Sequence, residues 1–399
     1  MKGSVRDMQT DTAAALDLAA ACAAPASLAN AAAAALIAVA LLLFRAPDVL
    51  KSPQMFGENG SVLWLDHHLL GLAALLKPYP DYLNSMGRIG AAIAASFSPA
   101  SAPRVYMLIA AAGVAWAAAT AAAAAPNVRM GLLLAAGLLL VPHPSGEVFG
   151  SVIHLMWIMG PVLGLLLCLP PSATMLGRCN QFLFAAAASL TGPFAIIMAP
   201  MALLRFWRYR DALPAMALIG AAIQLAIIVS HFAPPPGSDN APLHLAGTVL
   251  SRSLLQGSLG TIASLALIIV SLLICRQREL RAGLLLLAVG TLLGTWVKFL
   301  PVSHILDHPF NGSRYFFVPL VALFWCAISL CFSGRRPAAI GIAWLAILAV
   351  TYPTGSFVRP PLPDYHWSAY AGDIGRRAVV IPIPPDGWSV AVPAPATGP

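Results

Sequence analysis

The sequence predicts an all-α fold, a polytopic transmembrane helical bundle of about eleven spans. Two observations carry the prediction. The 399 residues are 59% hydrophobic and only 10% charged, with a mean hydropathy of +0.81, which leaves too little polar surface for a soluble domain of that length. Apolar runs of membrane-crossing length also alternate with short connections that carry Arg in ones and twos, as the positive-inside rule requires. The formal net charge of +8 is therefore read as topology signals and contacts to lipid phosphate, and nucleic acid is not an expected partner.

In chain order, residues 1–27 hold Lys2 and Arg6 but also Asp7, Asp11 and Asp17, and read as a cytoplasmic tail rather than a signal peptide. Residues 28–351 form the membrane domain. Its first span is Leu28 to Phe44, followed by a long outer loop over residues 45–104. Within that loop Val62, Leu65, Leu69, Leu72 and Leu76 recur at helical spacing, predicting an interfacial amphipathic helix that Pro78 and Pro80 stop. Leu83, Met86, Ile89 and Ile93 predict a second interfacial helix.

Further spans are expected over Val105–Ala124, Met130–Val141, Ser151–Leu169, Phe182–Leu204, Ala212–Ser230, Thr261–Ile274, Ala282–Trp296, Phe316–Cys331 and Ala338–Thr351. The run Phe182–Leu204 is interrupted at Thr191-Gly192-Pro193, giving either two short spans or one broken helix. The segment 231–260 reads as an outer polar loop. The Pro-rich tail, residues 352–399, reads as external, either a lid over a cleft or an extended strap. Cys22, Cys168, Cys179, Cys275, Cys326 and Cys331 avoid the outer loops and fit small apolar fillers better than disulfides or a metal site.

This topology puts the amino terminus inside and the carboxyl terminus outside. All nine His then fall on the outer face, with Glu58, Asp66, Asp81, Glu147, Asp239 and Asp307. The inner face keeps scattered Arg, Asp211 and Glu279. Ionisable groups near lipid are costly and mark functional candidates, so chemistry is expected outside. Longer outer loops that simply collect polar residues would give the same pattern.

Gly57-Glu58-Asn59-Gly60-Ser61-Val62, Pro78-Tyr79-Pro80-Asp81-Tyr82-Leu83, Gly146-Glu147-Val148-Phe149-Gly150 with Trp157, Leu190-Thr191-Gly192-Pro193-Phe194 and Arg314-Tyr315-Phe316 together resemble a group of bacterial polytopic proteins of the GT-C glycosyltransferase superfamily. The resemblance covers most of the chain through short motifs. It implies a polyprenyl-phosphate-linked sugar as donor substrate, inversion at the anomeric carbon, residence in the bacterial inner membrane, and an acidic catalytic base in the first outer loop. By position that base is Glu58. The group usually carries Glu-Asp where this chain has Glu58-Asn59, which argues against a divalent metal held by two adjacent acids and leaves Glu58 as a single base.

The chemistry asks for a carboxylate within reach of an acceptor hydroxyl and for cations on the phosphate leaving group. Arg314, beside Tyr315 and Phe316, is the expected phosphate clamp, with Lys298 and Arg252 as further candidates; an Arg at a span end is also a common snorkelling anchor. Glu147 is expected to face Glu58, binding acceptor hydroxyls, orienting Arg314, or capping the following helix. His154 lies near Glu147 as a pocket or structural residue. Asp66 and His67 are candidate substrate contacts, although Asp66 off the apolar stripe also fits a solvated group. His67 and His68 point about 100° apart on a helix, so at most one faces a cleft.

The expected function is transfer of a sugar to a glycan, lipid or protein of the cell envelope. A transporter or flippase for a lipid-linked or small anionic solute is the main alternative, although no internal repeat is visible. A non-catalytic membrane scaffold is the third reading.

Overall fold

The computed structural model describes residues 28–143, 145–231, 242–308 and 311–395. Cys22 with the rest of the predicted amino-terminal tail, and Asp239 of the loop 231–260, lie outside the described residues. The described chain is mostly helical. Its helices are α1 (Leu28–Arg45), α2 (Asp48–Lys51), α3 (Leu65–Leu70), α4 (Ser85–Ala95), α5 (Ala102–Ala124), α6 (Val128–Gly137), α7 (Leu155–Cys168) and α8 (Met175–Ser189). After these come α9 (Phe194–Ile197), α10 (Ala199–Tyr209), α11 (Ala212–His231), α12 (Pro242–Ser253), α13 (Gly257–Leu273), α14 (Arg278–Phe299), α15 (Arg314–Cys331), α16 (Arg335–Thr351) and α17 (Trp367–Ala371).

By length and composition, five stretches among the described residues can cross a membrane: Leu28–Arg45, Pro99–Ala124, Ala212–His231, Arg278–Asp307 and Arg314–Cys331. A sixth results if α12 and α13, bent by 82° at their junction, count as one span, and α6 and α7 are shorter apolar helices. Helix α15 is the centre of the bundle, with 89% of its apolar window buried against other helices, whereas the same figure for α1 is 22%. The outward faces of the peripheral helices are apolar, as Leu36 on α1 and Leu272 and Leu273 on α13 show. That pattern suits a hydrocarbon surround and not water.

Two groups of ionisable residues lie at opposite ends of α7, α14 and α15. At one end, Arg205 pairs with Asp211 and donates to the carbonyls of Leu166 and Leu169. Nearby, Arg208 pairs with Glu279, and Arg281 donates to Ile274 and Arg276 carbonyls. The other end gathers His154, Lys298 and Arg314. The 18 residues of α15 put these ends about 27 Å apart. The two Asp and Glu side chains expected on the inner face are thus both consumed in ion pairs with Arg.

The first loop departs from a single amphipathic helix. Asn59–Trp64 forms a π-helical turn, α3 follows, and Gly71 at φ 56° converts Gly71–Leu76 to a 3-10 helix. Leu69, Leu72 and Leu76 stay exposed. The second predicted helix is α4, capped by the Asn84 carboxamide accepting from Gly87 N–H.

The break at Thr191-Gly192-Pro193 is present, with Gly192 at φ 96°. Its freed backbone groups find partners. Gly192 N–H donates to Leu83 O, Ser85 N–H to Leu190 O, and the buried Gln224 carboxamide bonds both backbone groups of Leu83. Unpaired polar backbone is costly when buried, so the break anchors the segment 83–85.

Two expectations change. The loop read over 231–260 contains α12, whose inward Leu245 and Val249 are buried. The tail, read as a lid or an extended strap, folds in part into a short hairpin beside the otherwise helical fold. Val379–Ile383 (β1) and Trp388–Val392 (β2) pair antiparallel, with Ile381 opposite Val390 and Ile383 opposite Trp388. Alternate residues Ile381, Ile383, Val390 and Val392 point inward and are buried, the period-two pattern of a half-covered hairpin.

Candidate functional site

Glu58 immediately precedes the π-helical turn, a departure from regular helix that recurs at functional sites. Gly57, at φ 45°, makes the bend into it. The neighbouring Asn59 is buried; its Nδ2 donates to Ser151 Oγ at 3.0 Å and its Oδ1 accepts from Ile153 N–H at 3.0 Å. A carboxamide donates and accepts at once, whereas an ionised carboxylate only accepts. Asn59 therefore ties the Glu58 loop to the segment leading into α7, the work for which a second acid would be unsuited.

Glu58 lines a cavity of about 80 Å³ with Tyr79, Tyr82, His154, Trp157, Lys298, Arg314 and Tyr315. Lys298, Arg314 and Tyr315 also line a larger cavity of about 630 Å³, together with Glu147 and the apolar Phe299, Val302 and Ile305. Glu58 is half-buried, and among the described residues its carboxylate makes no hydrogen bond or ion pair. Its charge is nevertheless felt by Tyr79, Tyr82, His154 and Arg314.

The cations are held differently. Arg314 opens α15, and Glu147 grips it twice: Oε2 accepts from Nη1 at 2.8 Å and Oε1 from the backbone N–H at 2.8 Å. Ser313 Oγ also donates to Glu147 Oε1 at 3.1 Å. A carboxylate on the first N–H groups of a helix is doubly favourable, since it pairs a free donor and meets the positive end of the dipole. Burial by itself would raise the Glu147 carboxyl, but the charges of Arg314, His154 and His143 and the Arg314 N–H outweigh it and hold it below the usual glutamate value. Lys298 Nζ lies 5.3 Å from the Tyr315 ring centre and, among the described residues, makes no ion pair. Arg314 packs over the same ring at 5.5 Å.

His154 stands just before the first residue of α7. Its Nδ1 lies 2.6 Å from Glu147 O; a carbonyl only accepts, so Nδ1 carries the proton and Nε2 is the acceptor in the neutral ring. Burial lowers its pKa, with the Arg314 charge acting in the same direction. Tyr79 has its hydroxyl pushed up to about 12 by burial and then by the Glu58 charge, so it stays protonated and can donate. Trp157 stands edge-on to both Tyr315 and Phe194, which fixes the aromatic wall.

Of the residues expected from sequence, Glu58, His154, Lys298, Arg314 and Tyr315 therefore share one cavity, and Glu147 acts on it by orienting Arg314. Three do not join them. Both Asp66 oxygens are taken, by Lys77 Nζ at 2.6 Å and the buried Arg88 at 2.8 Å, which braces α3 against α4. Beside it, His67 has a buried Nδ1 without a partner, while His68 stacks on Trp64. Arg252 lies in a neighbouring cavity of about 540 Å³ with His244 and Asp307, where Nη1 donates to the carbonyls of Leu306 and Asn311 and the guanidinium covers Phe316 at 4.4 Å.

Tyr79, Tyr82 and Ser313 carried no assigned role in the sequence. The nearest signal for the two tyrosines was their place in the Pro-flanked motif that the Thr191-Gly192-Pro193 break anchors. Compared with protein-family models, curated proteins and solved structures, the chain matches none.

Proposed function

We propose that this protein is a polytopic membrane glycosyltransferase of GT-C type. It would transfer a sugar from a polyprenyl-phosphate donor to an envelope glycan, lipid or protein on the outer side of the bacterial inner membrane. The single observation that carries the reading is the placement of one uncommitted carboxylate, Glu58, in the same cavity as two cations, Lys298 and Arg314. In this proposal the about eleven spans read from sequence include the short helices α6 to α10 in addition to the longer ones.

Glu58 accepts the proton of the acceptor hydroxyl as its oxygen attacks the anomeric carbon. The bond from that carbon to the phosphate oxygen breaks, and the electron pair leaves with polyprenyl phosphate. Lys298 and Arg314 stabilise the phosphate as its charge grows. Tyr79 and neutral His154 serve as hydrogen-bonding partners of the sugar, and Trp157 and Tyr315 offer aromatic faces. The apolar wall of Phe299, Val302 and Ile305 accommodates the first isoprene units.

The roles separate kinetically. With a polyprenyl-phosphate sugar and purified protein in lipid nanodiscs, Lys298→Gln is expected to raise the donor KM by about tenfold, the loss of one charge-assisted contact. Glu58→Gln is expected to lower kcat by 100-fold or more, in the usual range for a general base at about 10² to 10⁴, with donor KM retained. A Lys298→Gln variant with unchanged donor KM, or sugar-dependent lipid translocation without transfer, would overturn the assignment.

A further inference from the structure

The carboxy-terminal segment reaches the Glu58 loop through more contacts than a loose tail requires. From α16 outward, Ser356 O accepts from His143 N–H, and Arg359 N–H donates to Arg45 O. Arg359 also pairs with Asp48 at 2.7 Å, where both side chains are buried. Trp367 Nε1–H donates to Pro99 O at 2.7 Å, and its ring meets Trp64 edge-on at 5.4 Å.

The hairpin then closes on Glu58 itself. Gly57 N–H donates to Pro384 O at 2.6 Å. Three residues on, Gly60 leaves no room: a methyl on its Cα would lie 2.9 Å from Val390 Cγ2, 3.3 Å from Ile383 Cδ1 and 3.4 Å from Met55 Cβ. Glu58 thus sits between two backbone positions clamped by β1, β2 and their turn.

We propose that the hairpin Val379–Val392 is a positioning element for Glu58. The Pro384 carbonyl and the Ile383 and Val390 side chains hold the Gly57–Gly60 backbone so that the carboxylate stays in the cavity of Arg314 and Lys298. The residues involved are positioning residues, since none lines that cavity. The kinetic part of this inference rests on the proposed transferase reading; the geometric part does not. Catalysis is steep in placement, and a 1 Å displacement costs on the order of 100-fold in rate.

The test uses the full-length protein in nanodiscs. Gly60→Ala forces a methyl against Val390, and Gly60→Ala with Val390→Ala removes the methyl it strikes. The first readout is the rate at which Glu58 is modified by a water-soluble carbodiimide and an amine, followed by mass spectrometry. Gly60→Ala is expected to change this rate by about fivefold or more as the loop leaves its clamped state, and the double variant to restore it. Val380→Ser, on the exposed face of β1, is expected to leave it as in the wild type.

The second readout is sugar transfer. Gly60→Ala is expected to lower kcat by about 10- to 100-fold with donor KM held within about twofold, and the double variant to recover it. An unchanged modification rate in Gly60→Ala, or a changed rate that Val390→Ala does not reverse, overturns the positioning role whatever the transfer assay reads. A loosened Glu58 with undiminished kcat overturns it too. If the wild type transfers no sugar while the modification rates follow the expected pattern, the transferase reading fails and the hairpin's hold on Glu58 stands.

Discussion

The Glu147–Arg314 pair offers a quantitative test of how the cation is held. Glu147 makes three contacts at the start of α15, to Arg314 Nη1 at 2.8 Å, Arg314 N–H at 2.8 Å and Ser313 Oγ at 3.1 Å. Removing one partner of a buried pair costs about 3–5 kcal/mol, chiefly because the other charge is left without compensation. Here the Arg314 side chain is 26% exposed and that of Glu147 13%, so water recovers part of the penalty. The expected loss for Glu147→Gln is about 2–3 kcal/mol, because the amide oxygen still accepts one of the N–H bonds. Arg314→Gln is expected to cost a similar amount.

The double variant contains neither charge, and its loss should fall short of the sum by about 1.5 kcal/mol, as for other coupled neighbours. For a protein of this size, 2–3 kcal/mol corresponds to a fall in thermal midpoint of about 3 °C. The assay is thermal unfolding of the four proteins in one detergent, followed by intrinsic fluorescence. Additive shifts in the double variant would show that the pair is not coupled and would refute the idea that Glu147 holds Arg314 in place.

Other outcomes follow from the same geometry. Gly146 stands at φ 61° with Arg359 packed where a methyl would project; Gly146→Ala is expected to cost about 3 kcal/mol from backbone strain and overlap together, and a thermal midpoint equal to wild type would contradict this. Asp66→Asn leaves the buried Arg88 without its carboxylate, a loss of about 3 kcal/mol, with donor KM unaltered; a KM change would instead put Asp66 at the substrate. Burial pulls the His143 pKa from 6.5 down to about 3, and its Nε2 accepts from Val148 N–H. The imidazole is therefore neutral in the fold, and its contribution is complete above pH 6.5 and lost as the pH falls from there towards 3. Glu147, also depressed, loses its contribution as pH falls through the carboxylate range, so acid destabilises through both. Thermal midpoints measured between pH 7 and 5 should decline less steeply in His143→Gln; an identical decline would rule out His143 as the source.

The part of the site that was legible in the sequence is the part that hydrocarbon surroundings make rare. Glu58, Lys298 and Arg314 stood out because few charges interrupt the apolar runs, and the cavity brings those three together. The Thr191-Gly192-Pro193 break was legible for a local reason, the backbone preferences of Gly and Pro. Ion pairs over distance were not. Nothing near Asp66 announces Arg88, and the apolar stripe around it fits a solvated carboxylate equally well. The hairpin was hidden by its own prolines: Pro382, Pro384 and Pro385 suggest an extended strap, while the alternation of Ile381 and Ile383 is too short to stand out. Helix α12 was obscured by its polar composition, since its buried positions are just Leu245, Val249 and Ser253. Asn59 shows the converse case, where a residue that breaks the resemblance acquires a reason once Ser151 and Ile153 are seen beside it.

The central claim, that Glu58 is the base of a sugar transfer whose leaving group is a lipid phosphate, is tested most directly by following release of polyprenyl phosphate. Purified protein in nanodiscs is given polyprenyl-phosphate sugars with envelope lipid or glycan acceptors. The wild type is predicted to release polyprenyl phosphate in step with sugar appearing on the acceptor, and Glu58→Gln to release none above background. Equal release by wild type and Glu58→Gln, or no release by the wild type with any donor, would contradict the account.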